Sequence, residues 1–156
     1  MKQSQRLGLK KHVFFTGHCS DPAAAYALCD VTLMPSLVAE AFGRVAVEAG
    51  ALGVPVIASN IGGPTETILA EPEVGPDERT GWKVAPDDPI ALARAMREAI
   101  ELGSGKRGEL AKRARAHILQ NYTLEKMGER TLSVYRSLLK LDKAKREPST
   151  IDRDKK

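Results

Sequence analysis

Four short, nearly all-apolar runs separated by helical patterns constrain this chain more than any other feature. They are Val13–Phe14–Phe15–Thr16, Val31–Thr32–Leu33–Met34, Val54–Pro55–Val56–Ile57–Ala58–Ser59 and Gly81–Trp82–Lys83–Val84. A strand with one wet face alternates polar and apolar residues, whereas a run that is apolar at successive positions belongs in a sheet covered on both faces. Helical segments between such runs predict right-handed crossovers and a parallel, doubly wound sheet.

The segments between the runs carry their own start signals. Asp21 followed by Pro22, and Asp88 followed by Pro89, each place a capping carboxylate before a proline at the first helical turn. Ala24, Ala25, Leu28 and Cys29 are expected to form the inner face of the first of these helices. The span from Arg44 to Leu52 reads as a helix closed by Gly53. Gly62–Gly63–Pro64 is a sharp turn into a short helix, and residues 71–79 form a polar loop. Ile90, Leu92, Ala93, Met96 and Ile100 recur at helical spacing. Two further helices are expected over 107–119 and 124–140, followed by a flexible charged tail over 141–156.

At 156 residues the chain holds one well-buried domain, expected over 9–140. The net charge of +4 is uneven, because basic residues concentrate from Gly103 onward. Acidic residues are interleaved there and aromatics are scarce, so no nucleic-acid partner is expected. A solvated helical face is the plain reading; attraction to anionic lipid or to an anionic acceptor is the other. Cys19 and Cys29 lack metal-ligand spacing and read as reduced packing residues of a cytosolic protein. The start lacks signal-peptide architecture, and no apolar run approaches the length of a membrane span. The expected location is the cytoplasm, with peripheral contact at the inner face of the membrane as an option.

Ligands of such sheets bind beyond the carboxyl ends of the strands. That rule lines up the turns after Thr16, Met34 and Ser59 and brings Gly17, the Glu40 loop and Gly62–Gly63 toward one cleft. Glu40 and Glu48 lie eight apart in Pro35–Ser36–Leu37–Val38–Ala39–Glu40–Ala41–Phe42–Gly43–Arg44–Val45–Ala46–Val47–Glu48. Each carboxylate can accept two hydroxyl donors, which suits a ribose or hexose. A helix beginning near Gly43 would aim free N–H groups and its dipole at a phosphate, with Arg44 adding charge or facing solvent. Solvated or capping roles remain the plain reading of either glutamate.

The order of these pieces resembles a retaining glycosyltransferase of family 4, specifically the carboxyl-terminal Rossmann-like domain of the two-domain GT-B fold. The resemblance runs from about Leu9 to Leu139. Its strongest part is Pro35–Ser36, Glu40–Ala41–Phe42–Gly43, Glu48–Ala49, the run from Gly53 to Ser59, Gly62–Gly63 and Glu66. It implies an α/β fold: a Rossmann-like parallel sheet with helices on both faces, lacking the family's first strand–helix unit. It implies that Glu48 binds ribose hydroxyls and that Glu40 is the catalytic-site glutamate near the donor sugar. It further implies that Phe42 and Gly43 shape the sugar pocket, that backbone donors at Arg44 and Val45 face the diphosphate or ribose, and that Gly17 lies in a nucleotide-facing loop. Gly50 and Leu52 depart from the family's usual choices and read as packing variation.

The implied reaction, in the complete enzyme, moves a hexose-type sugar from a nucleotide-diphosphate sugar to a saccharide or lipid-linked acceptor with retention of configuration. No cofactor beyond that donor, and no metal, is implied. The Arg/Lys pair that opens the family's domain does not occur in Met1–Lys10, so little transferase activity is expected of this chain alone. The expected readings are an excised domain, a truncated product, or one part of a split enzyme with a separate amino-terminal half; an unpaired edge strand would favour association with another chain or with itself. The alternatives are a noncatalytic nucleotide-sugar-binding or partner domain and a fragment of a nucleotide-sugar epimerase. Glu66 reads as a helix-start residue or a site assistant, His18 as a surface-loop residue and Trp82 as packing. His12 and His117 lack a visible catalytic partner.

Overall fold

The computed structural model describes residues 2–146, with side chains through residue 139. Its elements are α1 (Lys2–Arg6), α2 (Pro22–Ala27), β1 (Thr32–Met34), α3 (Arg44–Ala51), β2 (Val56–Ser59), α4 (Pro64–Thr67), β3 (Gly81–Val84), α5 (Pro89–Glu101), α6 (Ser104–Asn121) and α7 (Leu124–Arg146). Among the described residues the sheet has three strands in the order β1–β2–β3, all parallel. The register sets Leu33 beside Ile57 and Ile57 beside Trp82.

β2 is central and every one of its residues is buried. Successive strand side chains point to opposite faces, so Val56 and Ala58 enter one apolar cluster while Ile57 enters another. The first holds Met34, Ala46, Ala49, Val54 and Ile68 beside α3. The second holds Trp82, Val84, Ala95, Ala99 and Leu110 beneath α5 and α6. Trp82 is therefore a packing residue, and the Arg79 guanidinium lies 4.5 Å from its ring centroid. A Cβ on Gly50 would stand 3.0 Å from Ile118, so the small residue lets α6 close onto α3.

Both aspartate caps form. Asp21 Oδ1 accepts from Ala24 N at 3.0 Å. Asp88 Oδ1 accepts from Ile90 N at 3.0 Å and Ala91 N at 2.8 Å. Pro55 precedes β2, where it removes no ladder donor.

The run Val13–Thr16 is not a strand. It has no ladder among the described residues, and Phe14 and Phe15 are 79% and 58% exposed. Strand propensity expresses packing against neighbours, and none of the three strands lies alongside this run. The helix after it is correspondingly lightly docked. α2 buries no residue, and Leu28 and Cys29, expected inward, are exposed; Tyr26 makes the contact with the core instead. Cys19 is exposed as well, so both thiols are free surface groups rather than packing residues. The helix expected over 124–140 continues to Arg146, and the remainder of the proposed tail, 147–156, lies outside the described residues. Among the described residues no helix is long and apolar enough to cross a membrane.

Candidate functional site

The site is built where β1 ends and α3 begins. Pro35 terminates β1 beyond Met34, and the chain loops through Glu40 before turning into α3 at Gly43. Gly43 has φ +75° and is buried; a Cβ there would stand 3.1 Å from Pro64 Cδ and 3.2 Å from Met34 Cε. Left-handed backbone and a crowded position together require glycine. With Gly43 as the N-cap and no capping side chain, the first two amides of α3, Arg44 and Val45, have no partner among the described bonds; bonding to Gly43 O begins at Ala46 N, 3.0 Å. These donors are open at a helix N-terminus, a favourable place for an anion.

Gly62 and Gly63 seat the turn before α4 directly on the Glu40 loop, bringing together the two segments expected at one rim of the sheet. A Cβ on Gly62 would stand 2.7 Å from Glu40 N, one on Gly63 2.6 Å from Phe42 Cα, and Gly63 N donates to Glu40 O at 2.8 Å. The backbone of the loop is thus clamped from the β2 side.

Two carboxylates face this region in different states. Glu40 is exposed, and its Oε1 accepts from Ser36 Oγ at 2.7 Å. Glu48, on α3, has a side chain 32% exposed. Its Oε1 accepts from Arg44 Nη2 at 2.7 Å and Nε at 3.0 Å, and its Oε2 from the Tyr26 hydroxyl at 3.4 Å. Arg44 therefore folds back along α3 onto Glu48. Burial, and then the Glu48 charge, raise the Tyr26 phenol above its ordinary range.

Phe42, 44% exposed, meets the Tyr122 ring edge-on at 6.0 Å, and Tyr122 donates to Glu66 O at 2.8 Å. Phe42, Glu66, Tyr122, Leu124, Met127 and Arg130 are among the residues lining a cavity of about 570 Å³. Burial lowers the pKa of His117, whose ring is 5.6 Å from that of Tyr122. A second cavity of about 180 Å³ opens at the strand ends between Pro35, Ser59, Val84 and Asp87.

Glu40, Phe42, Gly43, Arg44, Val45 and Glu48 are thus gathered on one loop and helix start. Gly17 is not tied to them: it is exposed with φ +73°, and a Cβ there would find no atom within 4 Å. Its expected place depended on Val13–Thr16 joining the sheet. Tyr26 was missed by sequence reasoning, which took the alanines of α2 as its inner face. The one available signal was a tyrosine in an otherwise small-residue helix. Among the described residues no cluster of His, Cys, Asp or Glu could hold a metal ion.

A family model described as Glycosyl transferases group 1 matches residues 1–117. The D-inositol 3-phosphate glycosyltransferase of Salinispora tropica is 34% identical over 115 residues, covering 74% of this chain and 22% of that protein. A glycosyltransferase structure from Rickettsia africae superposes with a TM-score of 0.79 at 29% identity, over 89% of this chain and 35% of that one. Anabaena HepE, in a complex with UDP and glucose, gives a TM-score of 0.77 at 29% identity, over 87% and 35%. The chain spans between about a fifth and about a third of the length of these relatives. Its parallel sheet with flanking helices matches the carboxyl-terminal half of a GT-B fold.

Proposed function

The chain belongs to the Glycosyl transferases group 1 family, and from that premise we propose that loop 35–43 and α3 form the donor-binding face of a sugar-transferring enzyme. The donor is a nucleotide-diphosphate sugar, and the UDP bound by HepE is a guide to its chemistry. One observation carries the reading: Glu48 lies one turn along α3 from the open amides of Arg44 and Val45. Amides that favour a diphosphate and a carboxylate that accepts hydroxyls stand in the order in which a diphosphate and a ribose follow one another.

In this reading the acceptor hydroxyl attacks the anomeric carbon as the bond to the diphosphate breaks, with retention. The protein orients the donor and stabilises charge on the leaving diphosphate through the α3 amides and the Arg44 guanidinium. Glu40, on the glycine-clamped loop, faces the hexose. The acceptor, a saccharide or a lipid-linked sugar, is met by a part of the enzyme outside this chain. That part would be a second domain or a separate partner, in keeping with relatives about two and a half times as long. The exposed apolar groups of α7, among them Leu124, Met127, Tyr135 and Leu138, and the open edge of β1 favour such an association.

Calorimetric titration with UDP, GDP and ADP tests this. Glu48→Gln keeps the side chain's volume and removes its charge; it is expected to weaken the nucleotide by about 1.5–3 kcal/mol. Glu40→Gln is expected to weaken the nucleotide sugar much more than the bare nucleotide. Unchanged affinity in Glu48→Gln for every nucleotide that wild type binds would remove the ribose role.

A further inference from the structure

The two partners of Glu48 are unequal, and the inequality assigns a role to a residue outside the loop. Arg44 lies on the same helix, one turn before Glu48, and its side chain is 83% exposed. A pair of this kind is solvent-screened, and the basic-before-acidic order is the weaker one on a helix. Tyr26 comes from α2 and packs against the cluster formed by Met34, Ala46, Val54 and Ala58. Its ring has few rotatable bonds and is held by that packing, which keeps the hydroxyl 3.4 Å from Glu48 Oε2, while the exposed Arg44 side chain is free to leave.

We infer that Tyr26 is a positioning residue for Glu48: its hydroxyl holds Oε2, so that Oε1 is the oxygen a ribose hydroxyl takes when Arg44 departs. This rests on the ribose role proposed for Glu48. Ligand hydroxyls replace the two guanidinium bonds at Oε1, and the Tyr26 bond fixes the carboxylate during the exchange. Arg44 is the first residue of α3, so once released it stands beside the open amides, where a diphosphate adds the negative charge it has lost. A phenol is protonated, and hence a donor, at neutral pH; burial and the Glu48 charge move the Tyr26 pKa further upward. No other α2 side chain reaches the core, so the position is not interchangeable with its neighbours.

The test uses the 156-residue chain, UDP, GDP and ADP, and the 2′,3′-dideoxy counterpart of whichever binds wild type best. Tyr26→Phe keeps the packed ring and removes only the hydroxyl. It is expected to weaken the ribonucleotide roughly three- to tenfold and to leave the dideoxy nucleotide within about twofold, which also shows that the variant is folded. Because Tyr26 acts through Glu48, the double variant Tyr26→Phe/Glu48→Gln is expected to bind no more weakly than Glu48→Gln alone. Equal loss toward both nucleotides, no loss toward either, or additive loss in the double variant overturns the inference. If Glu48→Gln weakens the ribonucleotide and Tyr26→Phe does not, the positioning role alone falls. If Glu48→Gln has no effect, or wild type binds none of the three nucleotides, the ribose reading falls and takes this role with it.

Discussion

Val13–Phe14–Phe15 and Val56–Ile57–Ala58 are equally apolar triplets with opposite fates. The second is the centre of a three-stranded sheet, with Ile57 and Ala58 fully enclosed. The first lies bare, with Phe14 79% exposed. The difference teaches that an apolar run becomes a strand only where the fold supplies hydrogen-bonding neighbours and a cover for each face. The candidate site divides in the same way: every predicted site residue that follows β1 lies on one loop and helix start, and Gly17, which follows the bare run, stands apart.

The sharpest way to break the comparison is to cut a cavity at the enclosed triplet. Ile57→Ala is expected to destabilise the domain by about 2–5 kcal/mol, read as a lower midpoint in urea unfolding. A smaller loss is expected where the glycine turn seats on the site loop. Gly63→Ala places a methyl against Phe42 backbone and is expected to cost about 1–3 kcal/mol and to weaken nucleotide-sugar binding, checked by paired melting and titration. Should Gly63→Ala leave both unchanged, the clamp on the Glu40 loop is not what holds it.

Smaller still is the cap of α5, which lies over β2 and β3. Asp88→Ala leaves the amides of Ile90 and Ala91 unpaired and is expected to cost about 1 kcal/mol by thermal melting. His117 gives a pH signature of the packed side. Burial lowers its folded pKa below the ordinary 6.5, so the folded state binds fewer protons than the unfolded one. Stability is therefore expected to fall as pH drops below about 6.5 toward the folded value. His117→Gln should flatten that slope in melting curves from pH 7 to 5. Least of all, Phe14→Ser in the bare run is expected to change stability by no more than about 0.5 kcal/mol. A loss comparable to that of Ile57→Ala would show the two triplets to be equivalent.

Much of the site was legible because its parts are neighbours along the chain. Glu40, Gly43 and Glu48 fall within nine residues, and a loop turning into a helix at a left-handed glycine sets their order without help from elsewhere. The roles of Gly62 and Tyr26 were not legible in the same way. Glu40 and Gly62 are twenty-two residues apart, as are Tyr26 and Glu48. Nothing in local spacing says that one turn rests on another backbone or that a phenol reaches a carboxylate on the next helix.

The sequence by itself determined the parallel α/β pattern, a buried strand within Val54–Ser59, the aspartate caps of α2 and α5, and the loop-to-helix frame that carries Glu40 and Glu48. These follow from backbone bonding and side-chain periodicity over a few residues, where each local choice is made by atoms close along the chain. Only the tertiary structure decided that Val13–Thr16 stays outside the sheet, that both cysteines face solvent, and that Tyr26 rather than the alanines of α2 meets the core. Those outcomes depend on which distant surfaces arrive to bury a group or accept its hydrogen bond, and burial is a property of the assembled fold.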